Sequence, residues 1–311
     1  MTQTISSVRN ETLSKKNNLI LIVSLAILLL SGSVIFGWIV LAMAAVAFVS
    51  SISVEVLFAK VRKKKLDVTI FVTPLIFTLL LPSTLPLWMV AVGAIFGTFF
   101  AKSLFGGSGK NIFNPSIVGA LFLLISFPAQ MITGWIDPKS GDIVGGATPL
   151  NLFNRGLPFN HEIMDFFMGN VPGSVGETFR LGILVLGVLL LLLKVADWRI
   201  PLSYIATVFV LMGIGNLVDP DTFGDPLLSL IVGGLLFGAF FVATDPVTAP
   251  LTSWGRVIYG FGLGFITVVI RVFGAFQEGV IFAIIIMNAI APLIDNMTLK
   301  DKLNEVEEVT E

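Results

Sequence analysis

The chain consists of long apolar runs separated by short polar or glycine- and proline-rich breaks. A helix that crosses roughly 30 Å of hydrocarbon needs about 20 mainly apolar residues. Ten segments approach this length, and they are residues 18–35, 36–58, 66–81, 85–104, 114–127, 179–194, 200–218, 226–243, 256–272 and 279–294. The pattern predicts an all-α polytopic membrane protein with ten transmembrane helices.

Composition limits the chemistry that the chain can carry. With 55% hydrophobic and 13% charged residues it is no water-soluble globule, whose charged fraction is about 25%. The lack of Cys excludes a Cys-ligated iron–sulfur cluster, and His161 alone cannot assemble a metal or haem site. An electron carrier on this chain must therefore be organic. We expect no metal and no nucleic-acid partner, and residues 1–18 show no signal-peptide pattern.

The distribution of basic residues predicts the orientation in the membrane. An even number of spans places both termini on one side, and only four of the nineteen Lys and Arg residues then lie on the other. These four are Lys139, Arg155, Arg180 and Arg271. By the positive-inside rule, both termini are predicted to be cytoplasmic in a multi-pass cytoplasmic (inner) membrane protein, and residues 128–178 extracytoplasmic. The basic run 60–65 is interpreted as an anchor that stops transfer.

Two short elements recur along the chain. Pro82-Ser-Thr-Leu-Pro86 follows the third apolar segment, Pro246-Val-Thr-Ala-Pro250 follows the eighth, and each is soon followed by a Trp. Because the elements lie five spans apart, the two halves would have opposite orientations, which predicts two inverted five-helix repeats. The alternative is a chance match between Pro-rich segments.

These patterns divide the chain into five parts. The predicted parts are a cytoplasmic N-terminal segment (1–17), a first five-helix repeat (18–127), an extracytoplasmic segment (128–178), a second five-helix repeat (179–295) and an acidic cytoplasmic tail (296–311). The segment 128–178 is the one long polar interruption between apolar runs, and a loop of that length is usually functional or disordered.

Polar residues at the start of the fifth apolar segment form a candidate binding site. The preceding Gly-Gly-Ser-Gly-Lys stretch lacks the first Gly of a phosphate-binding loop and no strand precedes it, so that function is rejected. Pro115 would free backbone groups at membrane depth, where only a cavity enclosed by protein tolerates them. The carboxamides of Asn111 and Asn114 either cap the helix or hydrogen-bond a planar heterocycle.

Acidic residues inside apolar segments form a second candidate site. Asp67 starts the third segment and Asp245 ends the eighth, where an unpaired carboxylate is unfavourable. We predict that both belong to an ion path, with a turn cap as the alternative for Asp245. Four further charged residues are interpreted as side chains that extend to the membrane interface: Glu55, Arg180, Arg271 and Glu278.

Five motifs carry a resemblance to a known family. They are Phe105-Gly-Gly-Ser-Gly-Lys-Asn-Ile-Phe-Asn-Pro115, Ser126-Phe-Pro-Ala-Gln130, Gly146-Ala-Thr-Pro149, Phe240-Phe-Val-Ala-Thr-Asp-Pro-Val-Thr248 and Asn288-Ala-Ile-Ala-Pro-Leu-Ile-Asp295. In this order they resemble the D subunit of Rnf-type electron-transport complexes, which is related to the B subunit of the sodium-pumping NADH:quinone reductase. The lack of a long extension before the first span looks more like the Rnf subunit.

The resemblance implies a covalent flavin. Family members carry FMN, joined through its phosphate to a Thr hydroxyl in an Asp-x-x-(Ser/Thr)-Gly-Ala-Thr motif by a separate flavin transferase. The motif maps onto Asp142, Gly145, Gly146, Ala147 and Thr148, and Gly145 departs from the usual hydroxyl residue. Small residues on an exposed loop would admit the transferase. Without the resemblance, a Gly-rich turn would be the preferred interpretation.

The resemblance also implies a function within a larger assembly. It indicates a membrane flavoprotein subunit of an ion-translocating ferredoxin:NAD+ oxidoreductase, not catalytic alone, that relays electrons through FMN on Thr148. A second, non-covalent flavin, riboflavin, is expected at Asn111 and Asn114, with coupling to Na+ or H+ transport. The implied partners are the membrane proteins RnfA and RnfE, the flavin-bearing RnfG, the iron–sulfur proteins RnfB and RnfC, and membrane lipid. The rival interpretations are the quinone-reductase B subunit and a flavin-free inverted-repeat transporter.

Overall fold

The computed structural model describes residues 15–158, 161–274, 276 and 278–310, and its backbone is mainly helical. The predicted N-terminal segment 1–17 therefore lies largely outside the described residues. In chain order the α-helices are α1 (Lys15–Phe36), α2 (Ile39–Arg62), α3 (Val72–Leu79), α4 (Leu87–Gly97), α5 (Pro115–Ser126), α6 (Pro128–Thr133), α7 (Pro149–Asn154), α8 (Ile163–Met168), α9 (Arg180–Leu192), α10 (Arg199–Val218), α11 (Pro220–Phe223), α12 (Pro226–Ile231), α13 (Leu235–Phe237), α14 (Ser253–Phe273) and α15 (Val280–Thr310).

Five helices are long and apolar enough to cross a membrane, namely α1, α2, α10, α14 and the first 20 residues of α15. A sixth span arises if the pair Pro220–Ile231 and Leu235–Val242, bent by 54°, counts as one. Four shorter apolar helices occupy Val68–Leu79, Leu87–Ser103, Pro115–Ser126 and Arg180–Leu192. The chain is therefore a polytopic membrane protein. Each of the ten predicted segments coincides with a helix or helix pair, while the count of ten crossings and the inverted repeat remain predictions.

The short helices stop where the sequence breaks the backbone hydrogen-bond ladder. A 3₁₀ turn (Val68–Phe71) precedes α3, and a π-helical segment (Thr98–Ser103) follows α4. Three glycines with positive φ, Gly106, Gly107 and Gly109, then turn the chain toward α5. Between α12 and α13, Gly233 has a φ of 71°, a conformation that residues with a Cβ rarely adopt.

Helices α4 and α5 contact each other through glycine. A Cβ added at Gly97 would collide with the Pro115 carbonyl oxygen, and one added at Gly119 would lie 2.6 Å from the Gly93 oxygen. Small residues at such crossings let two backbones approach closely, which is how helices associate when lipid removes most of the hydrophobic driving force. This close packing fixes the start of α5, where Asn114 and Pro115 lie.

The polar segment 128–178 is folded rather than a plain loop. It contains α6, a two-stranded antiparallel hairpin of β1 (Trp135–Ile136) and β2 (Ile143–Gly145), and then α7 and α8. Trp135 pairs with Gly145 and Ile136 with Ile143. Parts of the segment that was expected to be a loop therefore form short hydrogen-bonded helices and a hairpin. At the other end of the chain, the backbone of α15 continues through the predicted tail to Thr310.

Candidate functional site

The predicted acceptor Thr148 is held at the start of a helix. Its Oγ1 accepts a hydrogen bond from the backbone N–H of Asn151 at 3.2 Å, which caps α7, and Pro149 occupies the first helical position. The Asn151 side chain donates to the Gly146 carbonyl at 2.5 Å, so the preceding turn is tied to the same helix. Gly145 ends β2 with a φ of 61°, a conformation that suits Gly better than the hydroxyl residue usual at this position.

Exposure differs along this motif. Asp142 and Ala147 are exposed and Gly145 and Gly146 are half-buried, whereas Thr148 is only 7% exposed. The expectation that the acceptor lies on an exposed loop is wrong for the hydroxyl-bearing residue itself, because capping turns its side chain toward the protein. A transferase would reach this position through the cavity or after a local opening of the hairpin.

Thr148 lines a cavity of about 160 Å³, called here the Thr148 cavity. Its walls are largely apolar, and they include the aromatic side chains Trp135, Phe237 and Phe276. Its polar lining comes from Thr148, Ser174, Glu177 and Glu278. An apolar, aromatic wall with a few polar groups is typical of sites for flat heterocyclic cofactors. The residues present therefore fit a flavin ring beside a hydroxyl that accepts its phosphate.

Charged side chains surround the break between α12 and α13 at this cavity. Arg180, 1% exposed, donates to the carbonyl oxygens of Phe166 (3.3 Å), Thr178 (3.1 Å) and Ile231. Arg271, 5% exposed, donates to those of Ser229 (2.8 Å) and Val232 (3.2 Å). Both guanidinium groups thus stabilise the carboxyl end of α12, where carbonyl groups lack helical partners.

The interpretation of these arginines as interfacial side chains is wrong. Both are buried, because the break at Gly233 and Gly234 exposes carbonyl groups that need donors inside the protein. Glu278 completes the arrangement, since it accepts from the Gly234 N–H at 3.1 Å and lies 3.6 Å from Arg271. The sequence signal that could have indicated this cluster is the Gly233-Gly234 pair inside an apolar segment. Such a pair breaks a helix and leaves carbonyl groups that an Arg elsewhere in the chain can bind.

Glu177, which sequence reasoning did not select, also faces the Thr148 cavity. It lies in segment 128–178, outside the apolar helices. Burial, and next the negative charge of Glu278, raises the pKa of Glu177 to about 7, while Arg180 and a hydrogen bond from Ser174 oppose this change. A carboxyl group that titrates near neutral pH beside a candidate cofactor site is a functional candidate.

Asn111, Asn114 and Pro115 line a second cavity of about 80 Å³, called here the Asn114 cavity. The Asn114 side chain accepts from the N–H groups of Ser116 (3.0 Å) and Ile117 (3.4 Å), so it caps α5. Its amide nitrogen donates to Asp245 Oδ2 at 3.4 Å. Asn111 donates to the Phe113 carbonyl at 3.2 Å. Asn114 thus caps the helix, as one of its two alternatives predicted, and it also lines the cavity, while hydrogen bonding to a planar heterocycle stays a prediction.

Asp245 lies in the wall of the Asn114 cavity. It accepts from the Val247 N–H at 3.0 Å and from the Thr248 hydroxyl at 3.3 Å, so it also orders the turn after the eighth segment. Asn288 joins the same network, because its side chain accepts from the Asn114 N–H (3.0 Å) and donates to the Tyr259 hydroxyl (2.8 Å). Two of the five motifs therefore line this cavity, and a third reaches it through the hydrogen bond from Asn114 to Asn288.

Asp67 does not share this cavity. It is exposed, caps the 3₁₀ turn through the Thr69 N–H at 3.4 Å, and lines a separate cavity of about 180 Å³ near the basic run. Glu55 also lines that cavity, whereas its partner Lys102 lines the Asn114 cavity. The two are buried and lie 2.8 Å apart. The interpretation of Glu55 as an interfacial side chain is therefore wrong as well.

The Thr148 and Asn114 cavities lie at opposite ends of the same helices. Thr73 near the start of α3 and Ser116 near the start of α5 line the Asn114 cavity, whereas Leu80 and Leu124 at their other ends line the Thr148 cavity. The nine residue-to-residue steps from Pro115 to Leu124 rise about 14 Å along α5. One compact helix pair thus separates the two candidate sites.

Comparison with known proteins identifies the family of this chain. A model of the NQR2, RnfD, RnfE family matches residues 1–304. The chain belongs to this family.

Three relatives of this NQR2, RnfD, RnfE family member are B subunits of the Na(+)-translocating NADH-quinone reductase. The B subunit of the Na(+)-translocating NADH-quinone reductase of Ectopseudomonas mendocina is 40% identical over 82% of this chain and 66% of its own length. The same protein of Azotobacter vinelandii is 41% identical over 82% of this chain and 66% of its own length. That of Klebsiella pneumoniae is 40% identical over 79% of this chain and 63% of its own length. The match thus spans just under two thirds of these relatives. The family resemblance drawn from the five motifs is confirmed.

Proposed function

We propose that this chain is a flavin-bearing membrane subunit of an ion-translocating redox complex. FMN would be attached through its phosphate to Thr148, and a second, non-covalent flavin, riboflavin, would bind in the Asn114 cavity. The observation that carries the proposal is the position of the Thr148 hydroxyl. It caps α7 and lies in the wall of a cavity with aromatic side chains. Membership of this family, whose relatives include the B subunit of a Na(+)-translocating NADH-quinone reductase, supports an electron-transport role.

The chain's own residues would bind and orient the flavins. FMN supplies reversible electron transfer, and the protein supplies position and electrostatics. Trp135, Phe237 and Phe276 would exclude water from the ring, and the Thr148 hydroxyl would hold the phosphate at the start of α7. Asn111 and Asn114 would offer donors and acceptors to the edge of the second ring.

For the assembly we propose an Rnf-type complex, with this chain as its D subunit, not catalytic alone, because the five motifs resemble that subunit. Its proposed partners are the membrane proteins RnfA and RnfE, the flavin-bearing RnfG, and the iron–sulfur proteins RnfB and RnfC, with a flavin transferase acting during maturation. We place both termini in the cytoplasm and Thr148 outside it. The B subunit of a Na+-translocating NADH:quinone reductase is the second candidate, and the names of the relatives favour it. Purification of the native complex separates the two, because an iron–sulfur ferredoxin-type partner indicates the Rnf assembly.

The direct test of a flavin subunit is ultraviolet fluorescence of the denatured chain in a gel. Only a covalently bound flavin remains on the chain after denaturation, so a fluorescent band at its mass supports the proposal. A non-fluorescent band from active complex would favour a flavin-free transporter instead.

Replacing Asn111 and Asn114 together with Leu is expected to remove the non-covalent flavin. Each unsatisfied polar group left on a buried ring edge costs about 1 to 3 kcal/mol, so occupancy should fall at least tenfold. The measurement is extractable riboflavin per mole of purified complex. Asn114→Ser is the matched control for capping, because Ser also caps helices well. Full riboflavin content in the double variant would show that both residues serve only the backbone.

Replacing Asp245 with Asn is expected to weaken ion-dependent turnover. Asp245 is the half-buried carboxylate of the Asn114 cavity, so its loss should raise the Na+ or H+ concentration needed for half-maximal activity roughly tenfold, about 1.4 kcal/mol of ion binding. Asp67→Asn should have a smaller effect in the same direction, because Asp67 is exposed. Asp221→Asn, at another exposed carboxylate, serves as control. Unchanged ion dependence and vesicle uptake in both variants would move the path to partner subunits.

A further inference from the structure

The Thr148 cavity contains two carboxyl groups in different surroundings. Glu278 accepts hydrogen bonds from the Gly234 N–H at 3.1 Å and the Val280 N–H at 3.4 Å, and Arg271 lies 3.6 Å away. Backbone N–H donors and a nearby guanidinium both favour the ionised carboxylate. Both carboxylate oxygens of Glu278 thus have partners inside the protein.

Glu177 lacks these partners. In the part of the chain that the structure describes, it forms no ion pair, and the donor that reaches it is Ser174. Arg180 acts on it from farther away, because its nitrogen atoms donate to carbonyl oxygens of the backbone. The carboxyl group instead packs against glycine, since a Cβ at Gly173 would collide with its Oε1.

The two carboxyl groups meet at the helix break. The position of a Cβ on Gly234 lies 3.2 Å from Glu177 Oε2 and 3.9 Å from Glu278 Oε2. Two carboxylates that face the same position inside a protein repel each other, and one of them binds a proton more readily. Because Glu278 has the donors, Glu177 is the one expected to take the proton.

Arg271 is the guanidinium on the Glu278 side of this cluster, and it pairs with Glu278 at 3.6 Å. Its Nε is buried and has no hydrogen-bond partner among the described residues. The Tyr204 hydroxyl, which is hydrogen-bonded to Thr267, is a further titratable group near Arg271 and Glu278. Among the described residues no ion pair joins Arg271 to Glu177.

We propose that Glu177 is a proton-binding site inside the Thr148 cavity, where its carboxyl group gains and loses one proton beside Glu278. Its effect on an electron carrier rests on the proposed flavin at Thr148. With Glu177 protonated the cavity carries one negative charge fewer, and a neighbouring group that gains an electron is then stabilised. The reduction potential of that group should therefore be higher at acidic than at alkaline pH. This shift adds to any pH dependence that arises from protons bound by the group itself.

Infrared difference spectroscopy of the flavin-free Thr148→Asn protein tests the proton site itself. The C=O band of a protonated carboxylic acid should disappear with a midpoint near neutral pH as pH rises, and Glu177→Gln should lack that transition. Asp221→Asn, at an exposed carboxylate, should keep it. Persistence of the band's transition in Glu177→Gln would overturn the proposal.

A second variant keeps the test open if Glu177→Gln does not fold. Glu278→Gln removes the neighbouring negative charge, so the carboxyl transition should move to lower pH. A midpoint that does not move would show that the two groups do not interact.

The pH dependence of protein stability provides a parallel measurement. The folded state binds the extra proton, so stability should fall as pH rises from about 4.5 to about 7, and less so in Glu177→Gln.

Redox titration of the complete protein then tests the coupling. Wild-type flavin potential should fall more steeply with pH than that of Glu177→Gln, whose potential should be the higher at alkaline pH. Equal pH dependence in both would refute the coupling. Absence of flavin from Thr148 would refute the proposed function alone, because the infrared titration does not need the flavin.

Discussion

Replacement of Thr148 with Asn should abolish the covalent flavin while the protein still folds. Asn has no hydroxyl to carry a phosphate ester, yet it caps helices as well as Thr does, so α7 keeps its first hydrogen bond. The expected result is complete loss of in-gel fluorescence and of any FMN adduct on the peptide 142–155 by mass spectrometry. Redox activity of the complex through this subunit should be lost with it.

Two control variants separate attachment from folding. Thr148→Ala should lose the flavin and also about 1 kcal/mol of stability, because the cap is lost. Thr148→Ser should keep both the cap and an acceptor hydroxyl, so it should retain the flavin in part or in full. An unmodified peptide 142–155 recovered from active wild-type complex would end the attachment hypothesis.

Replacement of Lys102 with Met should strongly destabilise the protein. Lys102 Nζ lies 2.8 Å from Glu55 Oε1, and the side chains are 4% and 7% exposed. Removing one partner leaves the other charge buried without compensation, which costs about 3 to 5 kcal/mol. The melting temperature of the purified protein in detergent should fall by roughly 10 °C.

A double-mutant cycle identifies the cause. Glu55→Gln combined with Lys102→Met removes both charges and should recover most of the lost stability. Lys110→Met is the matched control, because Lys110 is an exposed lysine eight residues farther along the chain. Its loss should change stability by less than about 0.5 kcal/mol. If Lys102→Met melts at the wild-type temperature, Glu55 reaches solvent or another cation.

The helices themselves follow from the sequence. Apolar runs, Pro at first helical positions and Gly at breaks determined where each helix begins and ends, so all ten predicted segments coincide with helices. The motifs, read in order, were sufficient for the family, which comparison confirmed. These features are local, because hydropathy and backbone conformation depend on a residue and its near neighbours.

The sequence also indicated site residues such as Thr148, Asn114 and Asp245, but not most of the residues that line the two cavities. Asn114, Asp245 and Asn288 lie far apart in the chain, and only packing places them in one hydrogen-bonded network. The folded hairpin before Thr148 was missed, since its strands are two and three residues long and carry almost no periodic signal.

What only the tertiary structure decided is the state of the charged residues. A Glu or Arg beside an apolar run has the same local sequence whether it extends to the membrane interface or is buried. Burial of Glu55, Arg180 and Arg271 depends on distant partners: an ammonium 47 residues away for Glu55, and the open carbonyl groups of a broken helix for the arginines. Electrostatic environment is a property of the assembled fold, because it sums over groups that the chain brings together only on folding.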